Sequence, residues 1–492
     1  MLITNRTTSR PDTRATVILL DGARPDIFDA LARAGDLPNM SRHVLEPGGR
    51  VDATTVFPST TGVAYLPFLT GRFPGPCGVP GIRWLDPSHY RGRWIRDRQY
   101  VRTYAGVQSG LLNTDVDPSV PSIFDIERDS IAVCSPFTRG LSDGAQRCRI
   151  SRMLMGLSAH YTINYGPLDR AVGASLASSN ARFVFAVFPG IDGVSHARSP
   201  DHPSVLDLYR AADQDLGRYL TSMGAGPDHL VILVSDHGFS RVAHHLDLAR
   251  VLEGIGLATL RHPKLWRKSP RAAVMVSGNS AAHVYLAPGH PSGSRWPVPA
   301  IEAGAVPGIP AFLIDHLTDL HGIDFVAGTD DGDVVVISAG GRARISQSGG
   351  MITYRPDTAD VFGYGPEART DDAEGWLRAS IDGSHPDGPV QLLQIFSTAR
   401  SGDLVVSAAP GFDLRDEWEI PELRSGHGSL RADHMLCLSA ISKPVRGPMR
   451  SVDVFPIVLD HLGHYMPGPI DGVLREAPAL SPDRVTVAGV AP

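Results

Sequence analysis

Three short apolar runs constrain the fold more than anything else in this chain: Ala15–Leu20, Phe183–Phe188 and Leu230–Val234. They are built almost wholly from Val, Ile, Leu, Phe and Ala. None alternates polar with apolar as a half-exposed strand would, so each reads as a strand buried on both faces of a parallel sheet. Each is followed within a few residues by an aspartate: Asp21, Asp192 and Asp236. Helical patterns lie between them. Pro25–Ala34 is one, and Ser204–Met223 is another, with Leu206, Tyr209, Leu216 and Leu220 near helical spacing. Strands alternating with helices predict an open α/β sheet, in which ligands bind beyond the carboxyl ends of the strands. The three aspartates fall there.

At 492 residues the chain can bury a large core, as two or three domains or as one α/β enzyme with insertions. A net charge of −6 argues against a nucleic-acid polymer as partner. No stretch has the length and apolarity of a secretory signal or a membrane span, so no membrane association is expected. Cys77, Cys134, Cys148 and Cys437 show neither CxxC spacing nor the density of a disulfide scaffold. A cytoplasmic protein with reduced thiols is the expectation. Oligomeric state is not legible.

Leu246–Arg400 reads differently from the flanking sequence. It holds short strand-like pieces (His283–Leu286, Asp333–Ile337, Arg342–Ser346, Gly350–Tyr354), many Gly and Pro turns and few long helical periods. The expected organisation is a discontinuous core, 1–245 and 401–492, interrupted by an inserted cap region at 246–400. The chain is expected to re-enter the core at Asp403–Ala408 and to close with a loop and helix over Arg446–Gly463. From about Pro467 it should form a surface tail.

Five segments carry the chemistry: Val17–Asp21 (VILLD), Phe57–Gly62 (FPSTTG), Gly190–His196 (GIDGVSH), Val234–Gly238 (VSDHG) and Ser425–Ser429 (SGHGS). Singly they have plain readings. Asp21 could be a helix cap, and Asp236-His237 a loop with a capping Asp. Asp192 and His196 could be neighbours on a helix, and His427 an exposed loop histidine. Together, in this order and spacing, they resemble the nucleotide pyrophosphatase/phosphodiesterase branch of the alkaline phosphatase superfamily. The resemblance implies a central, mostly parallel sheet flanked by helices. It also implies two divalent metal ions, Zn²⁺ in the first place and Mn²⁺ as the alternative. One ion would be held by Asp192, His196 and His427, the other by Asp21, Asp236 and His237, with the Thr61 hydroxyl bridging toward phosphorus. Asp and His are ligand types suited to hydrolytic zinc sites, and two ions roughly 4 Å apart can clamp a phosphoryl transfer. Thr61 would attack and form a phospho-threonine. It fits the family pattern, with Pro58 three residues before it and Thr70-Gly71 nine after. Gly62–Leu69 is expected to be a helix whose first turn aims its N–H groups at the phosphate. Thr60 is the fallback nucleophile, more naturally the cap of that helix. His244, His245 and His283 lack the pattern and read as structural or cap residues.

The chain departs from the resemblance where family diesterases place an asparagine that donates to a phosphate oxygen. Twenty-one residues after the nucleophile stands Ile82. Arg83 is the obvious substitute, since a guanidinium fork suits phosphate oxygens, with Ile82 turned into the core. Next comes Trp84–Tyr104, in which Arg91, Arg93, Arg96, Arg98 and Arg102 alternate with aromatic residues. This is either a wall that stacks on a substrate ring, with Trp84 in it, or a hairpin whose arginines pair with Asp86, Asp97 and surface acids.

The implied function is hydrolysis of phosphodiester or pyrophosphate bonds in a small phosphate ester. The alternative on the same scaffold is a phosphomonoesterase or phosphonate hydrolase. A sulfatase is disfavoured, because Cys77-Gly-Val-Pro80-Gly lacks the C/S-x-P-x-R pattern. A mutase would need a second phosphosugar site that nothing singles out. A catalytically silent binding protein is the alternative from another class, and the intact ligand set weighs against it.

Overall fold

The computed structural model describes residues 12–475 except 225, 227, 263–266, 291–293 and 416–421. The three apolar runs lie side by side in it. Arg14–Leu20 is the middle of a seven-stranded sheet and pairs in parallel with Phe183–Phe188 on one side and His229–Val234 on the other. Ser130–Val133 and Gln146–Arg147 continue the parallel order beyond Phe183–Phe188. Ser439–Ile441 and Gly49–Arg50 close the other edge antiparallel. Every residue of Phe183–Phe188 and His229–Val234 is buried, which is why neither run alternates. Helices Gly166–Ala177 and Val454–Leu462 pack against the strands, and Pro203–Met223 packs on the first of them. No described helix is long and apolar enough to cross a membrane.

Register puts the strand ends level. Leu20 lies opposite Phe188, and Leu19 opposite Val234. The residues just past those ends therefore meet: Asp21, the helix Gly190–Ala197 that carries Asp192 and His196, and the loop Ser235–Gly238.

The four strand-like pieces of the central region are all strands, and they belong to a second sheet. Its nine strands run Thr259–Arg261, Ala272–Ser277, Ala281–Leu286, Leu404–Ala408, Ile323–Asp330, Asp333–Ser338, Gly341–Ser348, Met351–Pro356 and Arg369–Asp371. Leu404–Ala408 does not re-enter the first sheet as the sequence suggested. It is an interior strand of the second, paired with Ala281–Leu286 and Ile323–Asp330. Both faces there are covered: Leu404 and Val406 pack with Leu248 and Ile314, while Val405 packs with Trp376 and Ile395. A strand buried on two sides reads the same in either sheet.

The expected tail is tied down as far as the described residues go. Asp471 accepts from the Phe73 N–H at 2.8 Å, and Arg475 pairs with Glu374 and Asp453, both at 2.6 Å. Residues 476–492 lie outside the described part.

His283 ties the second sheet to the segment leading into Ile82. The Gly402 N–H donates to its Nδ1 at 3.2 Å, so the ring proton sits on Nε2, which donates to the Pro80 carbonyl at 2.9 Å. Burial pushes its pKa down to about 4. Between pH 6.5 and 4 the unfolded chain binds a proton here that the folded chain refuses, so stability falls as pH falls through that window. The full loss is roughly 3 kcal/mol. Chemical denaturation of wild type and His283→Gln at a series of pH values should show a smaller acid loss in the variant. Parallel curves would refute this.

Candidate metal centre

All seven residues meet at the carboxyl ends of the first sheet. Asp21 comes directly after the central strand and is turned inward at Gly22. The φ of +68° at Gly22 favours glycine, and a Cβ there would crowd the Phe239 ring at 3.0 Å and the Asp192 Cα at 3.2 Å. Thr61 stands on the turn Phe57–Gly62. Beyond that turn the chain forms a 3₁₀ turn, Val63–Tyr65, and a five-residue helix, Leu66–Thr70, rather than one helix over Gly62–Leu69. Gly62 at φ +82° breaks the run. Thr60 makes no capping bond, and its buried Oγ1 has no partner among the described residues.

Asp192 Oδ1 lies at the centre, 3.3 Å from His196 Nε2, 3.6 Å from His427 Nε2 and 3.9 Å from His237 Nε2. His237 Nε2 is also 3.3 Å from Asp236 Oδ2 and 3.5 Å from Asp21 Oδ1. Thr61 Oγ1 sits between, 3.3 Å from Asp21 Oδ1 and 3.2 Å from His237 Nε2. The imidazole rings of His237 and His427 are stacked at 3.5 Å.

The histidines are oriented from behind. Nδ1 of His196 meets the Ser425 carbonyl at 2.9 Å, that of His237 the Gly238 carbonyl at 2.9 Å and that of His427 the Ser59 carbonyl at 2.7 Å. A carbonyl only accepts, so each Nδ1 carries the ring proton and each Nε2 lone pair faces the cluster. Burial, and next the closeness of the His237 ring, which penalises a second imidazolium, hold the pKa of His427 well below its usual range. Three lone pairs thus converge with three carboxylates, against few donors among the described residues: the Thr61 hydroxyl, the Tyr65 hydroxyl on Asp21 and the Gly22 N–H on Asp236. Asp192 Oδ1 and Asp236 Oδ2 are buried with no hydrogen-bond partner among the described residues. Burial, and next the charges of Asp236 and Asp192, push the Asp21 pKa well up. Such a concentration of buried acceptors fits cations. Among the described residues, two groups converge closely enough to hold one: Asp192, His196 and His427, and Asp21, Asp192 and His237. Asp192 belongs to both.

A cavity of about 510 Å³ opens beside the cluster, with Thr61, His427, Ile82 and Arg83 in its wall. Ile82 is therefore at the cavity as well as against the core. Trp84 corrects the sequence reading. It is buried at 2% exposure, with Arg102 at 5.8 Å and Arg400 at 4.6 Å from its ring centroid, and its Nε1 donates to the Tyr104 hydroxyl. It cannot stack on a substrate. The neighbouring arginines take the plainer reading: Arg93 pairs with Asp97 and Arg102 with Asp115.

Three supporting residues escaped the sequence reading. Tyr65, four after Thr61, donates to Asp21 Oδ2 at 2.5 Å. Phe239 lays its ring against His196, His237 and His427. His434 Nδ1 accepts from the Ser429 N–H at 3.1 Å and its Nε2 meets Ser240 Oγ at 2.7 Å, which staples the loop carrying His427. Only the Thr61–Tyr65 spacing, one helical turn, offered a signal.

A mostly parallel α/β sheet thus carries, at its strand ends, a cluster of metal-ligand-type side chains beside a hydroxyl. Residues 15–292 match the family model of type I phosphodiesterase/nucleotide pyrophosphatase, and the chain belongs to that family. No curated protein sequence matches the chain. Among solved structures it is similar to phosphonoacetate hydrolase from Sinorhizobium meliloti 1021 in complex with phosphonoacetate. That likeness has TM-score 0.56 and 15% identity, covering 92% of this chain and 96% of that one. It is also similar to murine ectonucleotide pyrophosphatase/phosphodiesterase 5, with TM-score 0.54 and 15% identity over 94% of this chain and 97% of that one. The human counterpart gives TM-score 0.55 and 13% identity, over 94% and 97%. At these identities the likeness concerns the fold.

Proposed function

We propose that this chain is a two-metal phosphohydrolase that cleaves phosphodiester or pyrophosphate bonds through a phospho-threonine at Thr61. The observation that carries the reading is the convergence of three Nε2 lone pairs with the buried carboxylates of Asp21 and Asp236 and the partly buried one of Asp192, beside the Thr61 hydroxyl. Asp192, His196 and His427 would hold one ion, and Asp21, Asp236 and His237 the other, as Zn²⁺ or alternatively Mn²⁺. Bound there, two ions supply the positive charge that steadies the attacking and leaving oxygens of phosphoryl transfer. The chain's own residues do the rest. Asp21 and His237 accept toward the Thr61 hydroxyl and fix its direction; the carbonyls of Ser425, Gly238 and Ser59 hold the three rings in one tautomer. Oγ1 forms a bond to phosphorus as the ester or pyrophosphate oxygen leaves, and water then cleaves the Oγ1–P bond and restores threonine. The four cysteines are free thiols, which supports the cytoplasm as the place of action. A screen of purified, metal-quantified protein against diesters, monoesters, pyrophosphates, phosphonates and sulfate esters tests the reading. Turnover of none of the phosphorus compounds would refute it.

A monoester or phosphonate substrate is the second reading. Ile82 removes a neutral donor and Arg83 brings a full charge to the same cavity, and the fold is shared with phosphonoacetate hydrolase. A cation favours a doubly charged phosphate more than an amide dipole does. Arg83→Asn should therefore lower kcat/KM for p-nitrophenyl phosphate by about tenfold more than for bis(p-nitrophenyl) phosphate. Equal small losses would place Arg83 outside substrate recognition.

A further inference from the structure

Ile82 leaves the phosphoryl oxygens without the amide donor that diesterases of this family place there. One other amide faces the cavity. Asn279 stands at the tip of the hairpin formed by Ala272–Ser277 and Ala281–Leu286, in the second sheet, and borders the same space as Thr61 and His427. It is 7% exposed, and its side chain makes no hydrogen bond among the described residues. The amide is therefore open to the cavity rather than committed to the fold. Its backbone is at φ +67°, a conformation that Asn tolerates better than most residues and that clusters at functional sites.

The tip is held by the site itself. The His427 N–H donates to the Gly278 carbonyl at 3.2 Å, and the Ser280 N–H donates to the His427 carbonyl at 3.0 Å. The Leu414 N–H donates to the Asn279 carbonyl at 2.6 Å. Gly278 has no room for a side chain, since a Cβ would stand 2.9 Å from His427 Nδ1 and 2.8 Å from the Gly428 Cα. Asn279 is therefore fixed relative to His427 on both sides, as a preorganised donor must be.

We propose that the Asn279 carboxamide donates to a non-bridging oxygen of the substrate's phosphoryl group, in the place that Ile82 cannot fill. This rests on the phosphohydrolase reading. The donor has moved from the segment after the nucleophile to the second sheet, so the two sheets share recognition of one phosphoryl group.

The test uses zinc-loaded full-length protein and inorganic phosphate as the probe, with Kd measured by calorimetry and zinc by elemental analysis. Asn279→Leu should weaken phosphate about tenfold or more. Asn279→Asp should weaken it further, because a carboxylate repels the anion. Asn279→Gly, which relaxes the backbone but supplies no donor, should match the leucine variant, and zinc per chain should stay at the wild-type value in all three. Phosphate affinity within about twofold of wild type in the Leu and Gly variants, or zinc lost in step with phosphate, would overturn the assignment. Hydrolysis of bis(p-nitrophenyl) phosphate by wild type alongside unchanged phosphate affinity in the variants defeats this proposal alone. Asn279-dependent phosphate binding with no turnover of any phosphorus ester defeats the hydrolase reading alone. Wild-type protein that binds no phosphate defeats both.

Discussion

Replacing Thr61 with alanine is expected to lower kcat by on the order of 10³-fold or more while the bound metal survives. The hydroxyl sits among acceptors, 3.3 Å from Asp21 Oδ1 and 3.2 Å from His237 Nε2. Its loss removes the group that bonds to phosphorus, but leaves the six Asp and His side chains and their backbone supports in place. Thr60→Ala should cost less than about tenfold, because Thr60 is 1% exposed and its hydroxyl has no hydrogen-bond partner among the described residues. Steady-state kinetics with elemental analysis on both variants decides. A silent Thr61→Ala alongside a dead Thr60→Ala would move the nucleophile by one residue.

The second large effect is expected at Asp192. Its Oδ1 is within 3.9 Å of three histidine nitrogens and takes part in both converging groups. Asp192→Asn should therefore strip the ion it shares with His196 and His427, weaken the neighbouring one, and lower activity at least about 10³-fold. His427→Ala should lower occupancy chiefly at the Asp192/His196 position. Wild-type protein purified without chelator is expected to carry about two divalent ions per chain. Dialysis against chelator should abolish turnover, and Zn²⁺ or Mn²⁺ should restore it. Circular dichroism should show the His427 variant folded, since that residue lies on a loop rather than in a core strand. Metal-free wild type with full activity would end the two-metal reading.

The first sheet was legible because its strands are buried on both faces and end in acids, a pattern that few other arrangements produce. Asp21, Asp192 and Asp236 could be placed at the strand ends on that ground alone. His427 could not: nothing local distinguishes a histidine between two glycines from a loop histidine, and only its order among the other segments marked it. Leu404–Ala408 was misplaced, since burial on both faces carries no record of which sheet supplies the neighbours. Trp84 was misread because arginines beside aromatic rings suit a substrate wall and an internal sandwich equally well. Asn279 was invisible. Gly278-Asn279-Ser280 announces a hairpin turn, but not that the turn reaches across to His427.

The hydrogen bonds between the hairpin tip and the His427 loop set an order on biosynthesis. As the chain leaves the ribosome, the three strands that bring Asp21, Asp192 and Asp236 together are complete well before Ser425–Ser429 has been made. In sequence order the acidic half of the cluster is thus available first, without the ring that His427 adds, and Leu404–Ala408, an interior strand of the second sheet, also precedes that ring. A nascent chain stalled anywhere ahead of the last loop would present carboxylates but no finished pocket. The full ligand set therefore exists only in a chain that extends past residue 427.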